Sequence, residues 1–269
     1  MSTLSYAVAD SATMLRRNLK RMLRYPTLIL FIIAIPIVFI LLFVYVFGGT
    51  LGSGIGEGVA NGVGGSRTDY ANYLAPGILV LTIAGAGQGT AISVAMDMSE
   101  GIIARFKTMG ISRVAVLNGH VLGTLIQTML GVAVVLGVTV AVGFRPDANP
   151  VEWIAAIALL GMITLALTWL CVACGLVARS VETASNIPMP LMLLPFLGSG
   201  FTPTETMPTA LRWFAEHQPF TPFTETLRGL LLGTGIGSDG IVSVAWCVGI
   251  GGLSYLAARS LYNRDPSRS

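Results

Sequence analysis

Residues 97–113, with the sequence DMSEGIIARFKTMGISR, form the one long polar interruption between two apolar stretches that must lie on the cytoplasmic side. A helix over these residues would be amphipathic at about 100° per residue, with charged side chains covering one side. Its apolar side would be Ile102, Ile103, Phe106 and Met109. Asp97 and Glu100 have the spacing of a capping box, and Gly110 stands where such a helix would end. The stretch therefore predicts a short helix that joins two membrane spans and meets a cytoplasmic partner.

The composition on both sides of this segment is that of an integral membrane protein. Hydrophobic residues make up 54% of the chain and charged residues only 11%, against roughly a quarter charged in soluble domains. The mean hydropathy is +0.76. A chain of 269 residues has room for about six spans, but for no separate soluble catalytic domain. We therefore expect an all-α integral membrane protein with six transmembrane helices in a single domain, residues 1–269.

Six apolar stretches are predicted to be the spans. They cover residues 28–47, 73–95, 114–143, 153–178, 186–201 and 241–258. The fifth is short and contains Pro188, Pro190 and Pro195, which indicates either a kinked span or a segment facing a cavity. Residues 202–237 hold two half-apolar helical patterns before the last span. They predict an external pair of re-entrant helices, which is tolerated only where protein or water covers the backbone.

The N-terminal segment, residues 4–26, predicts a basic amphipathic helix that lies in the membrane interface. Its basic side comprises Arg16, Arg17, Lys20, Arg21 and Arg24. A signal peptide is the competing interpretation. It is disfavoured because the apolar run 28–47 exceeds the usual hydrophobic region of a signal peptide and no small-residue cleavage site follows.

The basic residues predict which ends of the spans face the cytoplasm. Of the 16 basic residues, four fall in predicted external segments and the other 12 in internal ones. The external ones are Arg67, Arg145, Arg212 and Arg228, and the internal ones are Arg16, Arg17, Lys20, Arg21, Arg24, Arg105, Lys107, Arg113, Arg179, Arg259, Arg264 and Arg268. This is the positive-inside distribution of a protein with both termini in the cytoplasm.

The second predicted span is rich in small residues around one polar side chain. Gly85 and Gly89 have the spacing of a close-packing signature between helices, and Gln88 lies beside them. Gln88 could form an interhelical hydrogen bond or could line a substrate path, and we favour the hydrogen bond.

Motifs for catalysis and metal binding are missing from the sequence. Its two lysines, Lys20 and Lys107, do not follow a glycine run, so the chain has no P-loop for ATP. Cys171 and Cys174 form a C-x-x-C within an apolar stretch, without a second ligand pair, which favours packing over metal or redox chemistry. His120 is interpreted as a structural donor. We predict no catalytic residue, no metal site and no cofactor in this chain.

The predicted span interiors also contain no buried Asp, Glu, Lys or Arg. Ion-coupled carriers usually need such a group to titrate or coordinate the coupled ion. A membrane subunit driven by a separate ATPase therefore fits best, and a passive channel or ion-coupled carrier is the alternative.

Two stretches resemble a known family. The first comprises EGII at 100–103, RFK at 105–107 and ISR at 111–113. The second comprises FTP at 201–203, TMP at 206–208 and HQPFTPFTETLRGLLLG at 217–233. In these positions the chain resembles a permease subunit of an ABC-2 type exporter, similar to the daunorubicin-resistance permeases of actinobacteria.

The resemblance implies a subunit in the bacterial plasma membrane that exports an amphiphilic drug, lipid or natural product, or alternatively a polysaccharide or glycolipid. It implies two ABC ATPase subunits that carry ATP and Mg, a second permease that is either a copy or a different chain, contact with membrane lipids and no nucleic acid. The ATPase-coupling residues would be Glu100, Gly101, Arg105, Phe106, Lys107, Ser112 and Arg113, with Gly110 where the family commonly has proline. The pathway candidates, in spans two and five, are Gln88, Gly85, Gly89, Pro188, Pro190 and Pro195.

Overall fold

The structure is a computed structural model that describes residues 26–48, 67–99 and 113–263, together with Thr13 and Arg16. Every regular element in these residues is helical. The α-helices are α1 (Pro26–Leu41), α2 (Arg67–Ser99), α3 (Arg113–Val142), α4 (Pro150–Val177), α5 (Val181–Asn186), α6 (Met189–Leu193), α7 (Thr209–His217), α8 (Phe220–Leu232) and α9 (Asp239–Asn263). A π-helical turn, Leu42–Phe47, continues α1, and 3₁₀ turns cover Leu194–Leu197 and Thr204–Thr206.

Four helices in the described residues are long and apolar enough to cross a membrane. They are Thr68–Ser99, Leu117–Val142, Pro150–Val177 and Asp239–Leu261. They overlap the second, third, fourth and sixth predicted spans. A shorter apolar helical stretch, Ile33–Phe47, runs from α1 through the π-helical turn. The structure thus establishes an all-helical fold with four candidate spans, and the count of six stays a prediction.

The predicted fifth span, residues 186–201, is not one continuous helix. Pro188 caps the start of α6, and Pro190 lies in its first turn. Pro195 lies at the start of the 3₁₀ turn that follows. Because proline lacks a backbone N–H and crowds the turn before it, each of these prolines limits how far the preceding helix can extend. Short helices therefore replace the single predicted span.

Helix α4 begins three residues before the predicted boundary at residue 153, and its N-terminal cap explains the difference. The Asn149 side chain accepts hydrogen bonds from the backbone N–H groups of Val151 and Glu152, and the Glu152 carboxylate accepts one from the Asn149 N–H. Pro150 occupies the first helical position, where no N–H is needed. A capping box thus sets the start of α4 outside its apolar stretch.

Helix α2 is the centre of the fold. In its apolar window 72% of the residues are buried, against 22% for α9. Two of its glycines allow very close approach: a β-carbon on Gly77 would collide with the backbone of Gly200, and one on Gly87 would lie 2.7 Å from the Cys171 Sγ. The prediction that Gly85 and Gly89 are the close-packing pair is wrong within this chain, because Gly85 meets only the tip of Met192 at 3.5 Å and Gly89 faces open space. Which face of α2 packs is decided by the rotation of the helix, which the spacing alone does not give.

The bundle has two ends, which we name by the ends of α2. At the Arg67 end, the backbone N–H of Arg145 donates to Asn72 Oδ1, and the N–H of Asp147 donates to the carbonyl of Leu231. These contacts bring the α3–α4 connection to the start of α2 and the end of α8. At the Ser99 end, Val94, Leu117 and Val172 belong to one buried cluster with Ala258. Helices α2, α3, α4 and α9 therefore converge there.

Candidate functional site

The predicted ATPase-coupling segment lies mostly outside the described residues. Those outside are Glu100, Gly101, Arg105, Phe106, Lys107, Gly110 and Ser112. Its two boundaries are described: α2 ends at Ser99 and α3 begins at Arg113. In the predicted interfacial helix, Arg16 is helical and exposed, whereas Arg17, Lys20, Arg21 and Arg24 lie outside the described residues.

Asp97 corrects the expected start of a helix at the beginning of this segment. The capping-box spacing predicted that a new helix begins there, but Asp97 lies in the last turn of α2. It is also buried, with 4% of its surface exposed, although it lies just beyond the predicted span 73–95. The carboxylate Oδ2 accepts a hydrogen bond from Nε2 of His120 at 3.0 Å. A buried pair therefore joins α2 to α3, on either side of residues 100–112.

His120 is a structural donor, as interpreted from the sequence, and is itself only 4% exposed. Pairing is what burial requires, because an ionised carboxylate without a partner is costly in an apolar environment. A second contact links the same helices one to two turns away, where the hydroxyls of Thr90 and Thr124 lie 2.7 Å apart. The ends of α2 and α3 at residues 99 and 113 are thus held together through buried polar contacts.

Helix α5 lies beside this end of the bundle and has its own polar cap. The Ser180 hydroxyl accepts a hydrogen bond from the backbone N–H of Thr183. The pKa of Glu182 lies below its usual value, because its own backbone N–H and the Ser180 hydroxyl donate hydrogen bonds to the carboxylate. A carboxylate near a helix N-terminus also interacts favourably with the helix dipole.

The pathway candidates of the second and fifth predicted spans are partly brought together. The Gln88 side-chain N–H donates to the carbonyl oxygen of Ser185 at 2.8 Å, which confirms the favoured interhelical hydrogen bond. Gly85 lies opposite Met192 of α6. Gly89 and Pro190 are exposed, whereas Pro188 and Pro195 are buried. Whether these residues line a substrate path stays a prediction.

At the Arg67 end, the turn of residues 198–201 is enclosed between α2 and α8. The carbonyl oxygen of Ser199 accepts hydrogen bonds from the Tyr73 hydroxyl and from Nη2 of Arg228, both at 2.9 Å. Nη2 of Arg228 also donates to the Tyr73 carbonyl at 3.0 Å, and the guanidinium carbon lies 3.9 Å from the centre of the Tyr73 ring. We call Tyr73, Ser199 and Arg228 the arginine junction. It ties three separate elements together.

Sequence reasoning missed this junction. From the sequence, Arg228 is an external charge within the family-like stretch 217–233, with no contact predicted, although it stands in the largely apolar helix FTPFTETLRGLLL. A charge in such a helix needs a partner, and Glu225 three residues earlier supplies one by an ion pair within α8. That spacing could have indicated a buried arginine, but the contacts with Tyr73 and Ser199 depend on tertiary structure.

In the described part of the chain, no group of three or more His, Cys, Asp and Glu side chains could hold a metal ion. Cys171 is buried and its Sγ lies against Gly87, so the sulfur fills the crossing of α2 and α4. Free Cys is among the residues most often buried, and here it serves packing.

The chain is similar in sequence to a family of known proteins. The sequence matches the ABC-2 type transporter family over residues 11–232, from the N-terminal segment to the last residue of α8. The chain belongs to the ABC-2 type transporter family. It is therefore the membrane subunit of an ABC transporter, a multi-pass protein of the bacterial plasma membrane that works with ABC ATPase subunits.

Relatives within the ABC-2 family carry drug-resistance names. The daunorubicin resistance ABC transporter permease protein DrrB1 of Streptomyces coeruleorubidus is 26% identical over 247 residues, which is 91% of this chain and 82% of the relative. The probable doxorubicin resistance ABC transporter permease protein DrrC of Mycobacterium tuberculosis is 27% identical over 166 residues, which is 60% of this chain and 58% of the relative. The resemblance to daunorubicin-resistance permeases expected from the sequence is confirmed.

Proposed function

We propose that this ABC-2 permease moves an amphiphilic drug, lipid or natural product outward by alternating access, powered by separate ATPase subunits. The observation that carries the proposal is the family match over residues 11–232, together with relatives named for resistance to daunorubicin and doxorubicin. In the assembly we propose, two ATPases hold ATP and Mg, and a second permease, identical or different, completes the membrane body. Both termini and residues 97–113 face the cytoplasm, and the Arg67 end faces outward.

Residues 100–112 are proposed to receive the movement of the ATPases. The buried pair Asp97–His120 supports this, because it fastens the helices on both sides of the segment to each other. A force on residues 100–112 then reaches α2 and α3 together. Since α2 is the most buried of the candidate spans, its displacement changes the packing of the whole bundle.

The substrate pathway is proposed to run along α2 where it faces α5 and α6. Gln88 and Gly85 contact these short helices, and Gly89, the residue after Gln88, faces open space. Helices interrupted at Pro188, Pro190 and Pro195 can rearrange at lower cost than a continuous span, because their hydrogen-bond ladder is already broken.

The decisive experiment is reconstitution with a partner ATPase in proteoliposomes, with daunorubicin as the probe. We expect ATP-dependent accumulation, and we expect R105E to abolish it while R212E has little effect. Arg212 is the matched control because it lies on the exposed helix α7, paired with Glu216. Flux through this chain alone, without ATPase and ATP, would instead indicate a channel or an ion-coupled carrier.

A further inference from the structure

Helix α8 is buried on most sides although it is too short to span a membrane. It has 13 residues, most of them buried. It contacts α2, α4 and α9. Its side chain Arg228 is 13% exposed. A charged side chain at such a position needs a compensating role.

The contacts of Arg228 fall into two groups. One group joins α8 to other elements, through the carbonyl oxygens of Ser199 and Tyr73 and the face of the Tyr73 ring. The other is the ion pair with Glu225, which lies within α8 itself. If α8 moves away from α2, the first group breaks and the second travels with the helix. The arginine would therefore stay paired, and the large penalty of an unpaired buried charge would be avoided.

The C-terminal end of α8 can act as the pivot of such a movement. Gly233 caps the C-terminus in the left-handed region, at φ +65°, and Gly237 has φ +56°. Glycine adopts this conformation without steric cost, so residues 233–237 can change their dihedral angles more readily than a helix can. Hinges usually consist of a few residues at the end of a helix or strand that absorb the change in dihedral angles, as residues 233–237 could. On its outer side α8 meets α9 through the hydroxyls of Thr226 and Ser243, 3.0 Å apart, which is an uncharged contact.

We propose that the arginine junction is a releasable latch and that Arg228 is the positioning residue that holds α8 against α2 and the turn of residues 198–201. Release of Arg228 from the carbonyl oxygens of Tyr73 and Ser199 lets α8 swing about residues 233–237 and opens the Arg67 end. This inference rests on the proposed exporter function.

A buried serine on α9 offers a reporter of this movement. Ser243 is fully buried, with its hydroxyl against Thr226 of α8. In a background with C171A, C174A and C247A, the variant S243C places one thiol under α8. Its reaction with a membrane-impermeant maleimide, added outside proteoliposomes that contain the partner ATPase, measures how often α8 leaves this position.

Without ATP, S243C should be labelled slowly, and adding R228Q should raise the rate about tenfold, the factor expected for losing charge-assisted hydrogen bonds. E225Q should leave the slow rate unchanged without ATP, because the contacts with both carbonyl oxygens remain, and should reduce the rise that ATP causes. R212Q on α7 is the control without effect. Equal labelling of R228Q and the parent would overturn the latch.

Two measurements keep this outcome separate from folding and from the proposed function. Folding of R228Q is judged by gel filtration in detergent, and R228K replaces it if it does not fold. Lysine keeps the positive charge but lacks the planar set of N–H donors of the guanidinium. We therefore expect an intermediate labelling rate for R228K, and an unchanged rate would overturn the latch. ATP-dependent daunorubicin flux of the unmodified chain is measured in the same vesicles. Normal flux with unchanged R228Q labelling contradicts the latch alone, whereas absent flux contradicts the exporter function.

Discussion

Nε2 of His120 donates a hydrogen bond to Oδ2 of Asp97 across 3.0 Å, and both side chains are buried. The two residues are 23 positions apart and belong to consecutive long helices, α2 and α3. Residues 100–112, which we propose to couple to the ATPases, connect the end of α2 to the start of α3. The pair therefore sets the distance between the two ends of that segment, and its loss should affect stability and energy coupling together.

The variant H120A should lower the stability of the purified protein by about 1–3 kcal/mol, because it leaves a buried carboxylate without this donor. The measurement is thermal unfolding in detergent. T124V is the matched control, since it removes an uncharged contact between the same helices and should cost about 0.6 kcal/mol, the mean for such bonds in a membrane. In a double-mutant cycle, D97A and H120A should be non-additive. Equal losses in H120A and T124V would contradict the prediction.

Two glycines of α2 should respond oppositely to alanine. G77A forces a methyl group against the backbone of Gly200 and should destabilise by about 1–3 kcal/mol, the usual range for overpacking. G89A meets open space and should be neutral or stabilising by up to about 1 kcal/mol, the propensity difference between the two residues in a helix. Thermal unfolding of both variants at one detergent concentration tests this, and a stable G77A would show that α2 does not approach Gly200 so closely.

The proposed pathway predicts a specific transport defect at Gly89. G89L should reduce daunorubicin flux several-fold while ATP hydrolysis continues, because a bulky side chain would fill the open space in front of Gly89, which we propose belongs to the pathway. Gly252 is the matched control, since it also faces open space but lies on the exposed helix α9. The ratio of drug moved to ATP hydrolysed is the measurement. The prediction fails if G89L and G252L give the same ratio.

The hydrogen bond between Gln88 and Ser185 predicts a second, milder defect. Q88L removes the donor to the Ser185 carbonyl and should cost about 0.6 kcal/mol, the mean for polar contacts in a membrane. Q88E keeps the size of the side chain but places a carboxylate oxygen, which accepts hydrogen bonds, against the carbonyl oxygen of Ser185. Because two acceptors then face each other, Q88E should be less stable than Q88L. Thermal unfolding distinguishes the two variants. A more stable Q88E would mean that Gln88 faces a polar path instead of the Ser185 carbonyl.

The sequence by itself determined that the chain is helical and lies in a membrane, and two of its stretches carried the resemblance to ABC-2 type permeases. These properties are local, because hydropathy over about 20 residues fixes a candidate span and a proline fixes where a helix is interrupted. Four predicted spans coincide with long helices for this reason. Pro188, Pro190 and Pro195 indicated either a kinked span or a segment facing a cavity at residues 186–201, where the structure has short helices.

Tertiary structure alone decided which side chains meet. Gln88 and Ser185 are 97 positions apart, and Arg228 lies 155 positions from Tyr73. No local pattern encodes such pairs, since they depend on how each helix is rotated and how far it slides against its neighbours. The same reason explains why Gly77 and Gly87 take the close contacts expected at Gly85 and Gly89. A buried charge is stable only beside its partner, so the roles of Asp97 and Arg228 became visible only once the helices were packed.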